Sequence, residues 1–161
     1  MWNKIKTYWN ERIKEKTDSF DYDNCWVVDK IYNKNEFLSK IIKIVPNESV
    51  WNVYGVFDKD IVELLSEFRT RSLKKKNSAY QIKINLNKNS KRKILKSIHK
   101  WDLDKNFISQ SIYKKETSYF SSNDNLHNCC TSVSFNINEF EMENLKNDEI
   151  IEYKKRMNSE Y

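Results

Sequence analysis

The sequence predicts an α+β fold, in which a mixed, largely antiparallel sheet carries helices packed mainly on one face. Two observations predict this class. Apolar residues recur at helical spacing in five segments, and short strand-like segments lie between them. Three further strand-like segments then follow one another between residues 107 and 135. The chain of 161 residues is the size of one domain, and we expect a single domain over 1–161 with an α+β core over 25–153.

Residues 1–17 predict an N-terminal amphipathic helix. Its apolar side chains are spaced by three and four residues, which aligns them on one side: Trp2, Ile5, Trp9 and Ile13. Docking of this stripe onto the core is the favoured interpretation, and the alternatives are contact with another copy or a partner, or binding to a membrane surface. Residues 25–28 then predict the first strand.

The next helix begins at Asn35 as its N-cap and is ended by Pro46, which cannot continue a helix. Residues 50–57 are apolar on both faces and predict a central strand. This strand contains Gly55, the only glycine of the chain, which indicates a bulge or close backbone packing. Asp58 follows the strand and is expected to cap the third helix, over residues 58–68.

Residues 73–78 predict a basic loop, and the strict alternation over 80–87 predicts a half-buried strand. Ser90 is expected to cap a fourth helix that ends near Trp101. Three antiparallel strands should follow over 107–113, 118–121 and 131–135, with residues 114–117 as the first turn. The last helix is expected over 138–147, with Phe140 and Leu145 inward, and residues 148–153 form either an edge strand or more helix.

The net charge of +6 is concentrated in the middle of the chain. Residues 61–120 carry fifteen basic and five acidic side chains, whereas residues 121–161 carry four basic and eight acidic ones. Such a block attracts acidic partners over a long range. Nucleic acid is therefore an alternative partner, with Lys74–Lys76 on phosphates and Tyr80 or Trp101 stacked on a base.

One glycine in 161 residues excludes the glycine-rich loops that bind dinucleotides and phosphates, and we expect no cofactor. No apolar run has the length of a membrane span or a signal peptide, which predicts a cytoplasmic protein without membrane contact. Three cysteines are an odd number, which does not indicate a disulfide scaffold.

The segment 123–130 contains Asp124, His127 and Cys129, the residue types of nucleophilic catalysis. We expect a polar turn there instead, because residues so close on one strand rarely face a shared centre. His127, Cys129 and Cys130 lack a matching second pair of metal ligands, so no metal site is expected.

Two stretches carry a family resemblance. Residues 37–68 run from a helix through Val45-Pro46 and the strand Val50-Trp51-Asn52-Val53-Tyr54-Gly55-Val56 to a second helix. Residues 108–135 contain Ile112-Tyr113-Lys114 and then Tyr119-Phe120-Ser121-Ser122-Asn123-Asp124-Asn125-Leu126-His127. Both resemble small immunity proteins of bacterial polymorphic-toxin and contact-dependent inhibition systems.

The resemblance implies a stoichiometric inhibitor that binds a cognate protein toxin in the producing cell and is not an enzyme. We expect the chain to be a monomer or homodimer. If the toxin is basic, we expect an acidic face of this chain to bind it. If the toxin is acidic, we expect the basic middle third to bind it. The residues expected to contact the partner are Asp58, Asp60, Glu63, Lys74, Lys75, Lys76, Tyr119, Asp124, Asn125 and His127.

Overall fold

The computed structural model describes residues 20–158. They form eight strands: β1 (Cys25–Ile31), β2 (Ser49–Val56), β3 (Lys74–Lys76), β4 (Ala79–Leu86), β5 (Ser109–Lys114), β6 (Thr117–Asn123), β7 (Thr131–Ser134) and β8 (Ile151–Arg156). The helices within this range are α1 (Lys34–Ile44), α2 (Lys59–Ser66), α3 (Lys88–Ser97), a 3-10 turn (Ile98–Lys100) and α4 (Glu139–Asn147). The helix predicted over 1–17 lies outside the described residues.

The eight strands form one sheet in the order β3-β4-β2-β5-β6-β7-β1-β8. Every pairing between these strands is antiparallel. The predicted α+β class is confirmed. None of the helices in residues 20–158 combines the length and the apolar composition that a membrane span requires.

All four helices contribute to one core on one face of the sheet. Side chains of α1 and α2, such as Ile41 and Leu65, share a buried cluster with alternate residues of the central strands, such as Trp51 and Ile84. Because alternate residues of a strand face opposite sides, a shared cluster places the helices on the same side. The opposite side of β1 carries a small separate cluster of Phe20, Cys25 and Val27.

Two predicted helix caps are wrong by a few residues. Asn33, not Asn35, caps α1, because its side chain accepts from the backbone N–H of Glu36. Asn35 lies inside the first turn, where its Nδ2 donates to the backbone oxygens of Ile98 and Trp101. Asn87, not Ser90, caps α3; Ser90 completes the capping box by accepting from the N–H of Asn87.

Two other predictions are corrected, and two are confirmed. Residues 74–76, expected in a loop, form the edge strand β3 and pair with β4. Phe140, expected inward on α4, is 70% exposed, because Met142 and Leu145 form the buried face instead. Of the two alternatives predicted for residues 148–153, the edge strand is confirmed, since these residues lead into β8. The expected helix cap at Asp58 is confirmed, since its carboxylate accepts from the N–H groups of Asp60 and Ile61.

Candidate functional site

The antiparallel order decides which loops meet at one end of the sheet. Four antiparallel steps separate β1 from β2, so both strands point the same way and finish at the same end. At this end β5 begins and β6 turns into β7. We call it the loop end and define it by residues 32–33, 57–60, 101–108 and 124–130. It brings together loops that are far apart in the sequence.

Asn106 is the residue that joins these loops. Its side chain is almost fully buried, with 4% of its surface exposed. The Oδ1 atom accepts from the backbone N–H groups of Phe57 and Asp58, both at 3.0 Å, and Nδ2 donates to the backbone oxygen of Asp102. The backbone oxygen of Asn106 accepts from Nδ2 of Asn125 at 3.0 Å. Three loops are therefore held in a fixed relation.

Lys34 connects the start of α1 to two of the same loops. Its Nζ donates to the backbone oxygen of Asn125 at 2.8 Å and forms a salt bridge with Asp104 at 2.6 Å. Between residues 31–35 and 101–104 lies an open cleft of about 370 Å³. Tyr32 lines the cleft and is 59% exposed, whereas Phe57, four strands away across the sheet, is 44% exposed.

The loop end also carries exposed carboxylates. Asp102 and Asp104 are paired with lysines, at 3.7 Å and 2.6 Å. Asp60 and Asp124 are exposed within the loop end, and Glu63 is exposed on α2, three residues beyond Asp60. A rim of carboxylates around exposed aromatic rings favours a partner that presents basic and apolar groups.

The loop between β6 and β7 has an unusual backbone. Asp124, Asn125 and Leu126 have φ values of 53°, 55° and 58°, so three consecutive residues other than glycine are left-handed. This conformation costs roughly 1–2 kcal/mol per residue. It is maintained because Leu126 is buried in the core, with 1% exposed, and because Asn125 N–H donates to the oxygen of Ile108. Strain of this kind clusters at binding sites.

The structure brings some of the predicted contact residues together and separates others. Asp58, Asp60, Glu63, Asp124, Asn125 and His127 lie at or beside the loop end. Lys74, Lys75 and Lys76 form the outermost strand, and only Lys76 reaches the corner of this end. Tyr119 lies nearer the opposite end of β6 and is half-buried against the core. The predicted set is therefore not one surface.

The three cysteines have different surroundings. Cys25 is fully buried, and burial raises the pKa of its thiol, so it is a structural residue. Cys129 and Cys130 are both exposed. The Sγ of Cys129 faces the backbone oxygen of Asp29 at 3.8 Å. Cys130 instead lies beside Asp124 and His127. The cysteine that joins the other two residues is thus Cys130 and not Cys129.

Sequence reasoning missed Tyr32, Phe57 and Asn106. The two aromatic residues each follow a strand directly, and a large apolar residue at that position is a usable signal. Nothing local distinguishes Asn106 from the other asparagines, because its role depends on partners about 50 residues away. No protein-family model, curated protein or solved structure matches this chain.

Proposed function

We propose that the protein is an immunity-type binding protein, which neutralises a cognate bacterial toxin by forming a direct complex with it and has no chemistry of its own. The observation that supports this proposal is the loop end, where exposed aromatic rings and carboxylates lie on loops whose backbones are held together by hydrogen bonds to Asn106. A fixed surface loses little conformational entropy when it binds, which favours a tight complex.

The arrangement at the loop end fits a protein partner better than a small ligand. The cleft beside Tyr32 is open and polar, whereas small-molecule sites are enclosed and mainly apolar. Tyr32 and Phe57 directly follow strands that are four positions apart, which is about 19 Å at normal strand spacing. Two aromatic anchors at that distance suit a surface of the size that protein complexes use.

Co-expression with the product of the neighbouring gene tests the function. We expect the chain to restore growth of cells that make this product, and a complex of the two proteins to persist in gel filtration. A neighbouring product without toxicity, or the absence of a complex, would contradict the proposed function. The readout does not depend on which surface is used.

Two pairs of variants test the surface. Phe57→Ala is expected to weaken the complex about 10- to 100-fold, since aromatic anchors contribute about 1–3 kcal/mol. Glu63→Lys is expected to lower the association rate several-fold, with a smaller effect at high salt. The matched controls are Phe140→Ala and Glu116→Lys, exposed residues at the opposite end of the sheet. Dissociation constants and association rates for both pairs are measured by surface plasmon resonance. Equal effects of variants and controls would exclude the loop end as the binding surface.

A second candidate is a nucleic-acid-associated protein, and the edge strand β3 favours it. Lys74, Lys75 and Lys76 are all exposed, and the ammonium of Lys75 lies 5.2 Å from the ring centre of Tyr80. Lysines on an edge strand also block pairing between sheets, which needs no ligand.

Salt dependence separates these two explanations of β3. If the strand binds phosphates, the affinity for single-stranded RNA falls steeply with salt, and Lys75→Gln reduces the slope of log K against log salt by about 1. Fluorescence anisotropy with labelled RNA measures the slope, and Lys146→Gln on α4 is the control. Absence of binding at about 50 mM salt would end the nucleic-acid hypothesis.

A further inference from the structure

Three chemically different donors converge on the loop between β6 and β7. One donor atom each from the carboxylate of Asp124, the imidazole of His127 and the thiol of Cys130 lies within 4.8 Å of the other two. The residues are spaced by three, at 124, 127 and 130. All three are exposed, so an ion reaches them from solvent.

The backbone explains why these side chains converge. The N–H of His127 donates to the oxygen of Asp124 at 3.0 Å, and the N–H of Cys130 donates to the oxygen of His127 at 3.1 Å. Two successive turns, each closed by a hydrogen bond between residues three apart, thus hold the three residues close together. The loop is closed by the bond from Asn123 N–H to the oxygen of Cys130, and it is anchored by buried Leu126.

One nitrogen of the His127 imidazole already has a hydrogen-bond partner in the backbone. The Nδ1 atom of His127 lies 2.9 Å from the backbone oxygen of Asn128. A carbonyl oxygen accepts only, so Nδ1 donates this bond, and in the neutral imidazole the lone pair is then on Nε2. A histidine whose second nitrogen donates to a carbonyl is the usual outer-shell arrangement of a metal ligand.

We propose that Asp124, His127 and Cys130 form a site for a divalent transition-metal ion of the zinc type, with solvent as the fourth ligand. Sulfur and imidazole ligands select zinc-like ions over Mg²⁺ and Ca²⁺, which prefer oxygen. Tetrahedral zinc with ligands at about 2.0–2.3 Å places the donor atoms about 3.3–3.7 Å apart. Side-chain rotations that move the donor atoms by about 1 Å bring them from the observed separation to this one.

The charges around the loop are compatible with a cation. A carboxylate and a thiolate together balance the two positive charges of the ion. Lys34 contacts the same loop at the oxygen of Asn125, and its ammonium is already paired with Asp104. The site does not depend on the toxin proposed above, because its test needs only the purified chain.

Cobalt titration tests the site with a spectroscopic signal. The untagged full chain, reduced and freed of metal by a chelator, is titrated with Co²⁺ and then with Zn²⁺. We expect one Co²⁺ per chain, with the ligand-field bands of tetrahedral cobalt and a thiolate-to-cobalt charge-transfer band, and displacement by Zn²⁺. Failure to bind stoichiometrically, or binding without the thiolate band, would overturn the proposal.

Variants identify the ligands. Cys130→Ser is expected to abolish the thiolate band, and Asp124→Asn and His127→Gln are each expected to weaken binding at least tenfold. Cys129→Ser is the matched control, since it removes the neighbouring exposed thiol, and it should leave the titration unchanged. Loss of the band in Cys129→Ser, together with its retention in Cys130→Ser, contradicts the assigned ligand set.

A second measurement uses the unaltered chain and so does not depend on the folding of a variant. Alkylation of the two exposed thiols is followed by fragment mass spectrometry with and without Zn²⁺. Zinc should slow the modification of Cys130 at least tenfold and that of Cys129 much less. Equal alkylation rates of Cys130 with and without Zn²⁺ would exclude it as a ligand.

Discussion

Gly55→Ala is expected to lower the free energy of unfolding by about 3 kcal/mol or more. Gly55 has φ of +79°, which an alanine adopts only with strain. A Cβ atom at this position would lie 2.5 Å from Cγ1 and 2.7 Å from Cβ of Ile108, so the contact involves the base of that side chain and not a flexible tip. Strain and steric overlap therefore act together.

The position explains why this residue is glycine. The pairing of β2 with β4 shifts register between Tyr54 and Val56, which places Gly55 in a bulge. The backbone oxygen of Gly55 accepts from the N–H of Phe107. The next residue, Ile108, places its side chain in the space beside Gly55. The bulge therefore sets the end of β2 against the loop that contains Asn106.

Urea denaturation followed by circular dichroism measures this loss. Ile108→Ala removes Cγ1 and Cδ1, two of the three atoms that the new Cβ would meet. The double variant should accordingly be more stable than the sum of the single variants predicts, by about 1 kcal/mol. A Gly55→Ala protein within about 0.5 kcal/mol of the original would refute the steric explanation.

Asn106→Ala is expected to destabilise the protein by about 2–4 kcal/mol and to loosen the loop end. The substitution leaves the N–H groups of Phe57 and Asp58 without their acceptor and the oxygen of Asp102 without its donor. The capping of α2 by the Asp58 side chain remains. The effect should therefore be concentrated in the backbone before α2.

Hydrogen exchange locates this effect. The amide protons of Phe57 and Asp58 should exchange faster in Asn106→Ala, beyond the change expected from lower global stability. Asn128→Ala is the matched control, because its side chain also accepts one backbone N–H, that of Ile31, but at an exposed position. Water replaces that acceptor, and we expect a loss of no more than about 1 kcal/mol. Equal losses in the two variants would contradict a special role for Asn106.

The scarcity of glycine has a consequence for the loops. Ten residues other than glycine have positive φ in residues 20–158, among them Asn77, Asp124 and Asn125. Asparagine and aspartate tolerate this conformation best after glycine, and both are abundant in the chain. The low glycine content that excludes glycine-rich phosphate loops thus also means that polar residues form many of the turns. One of these turns carries the proposed metal ligands Asp124 and His127.

Local patterns were sufficient for most elements within residues 20–158, but not for the edge strand β3. Helical spacing predicted α1 and α2, alternation predicted β4, and Pro46 and Asp58 marked the boundaries of helices correctly. The two wrong helix caps fell where two nearby residues compete for one role, as Asn33 and Asn35 do at the start of α1. Either side chain can cap a helix, and the contact of Asn35 with the turn after α3 decides between them.

The sequence by itself determined the fold class and most of the elements, and Gly55 indicated a bulge or close backbone packing, because periodicity and backbone restrictions act between near neighbours. The tertiary structure alone decided which loops meet. Only the strand order places Tyr32, Phe57 and the Asp124 loop at one end of the sheet. Only the folding of that loop places the thiol of Cys130, and not that of Cys129, beside Asp124 and His127. Such selections depend on hydrogen bonds between distant residues, and these leave no periodic pattern in the sequence.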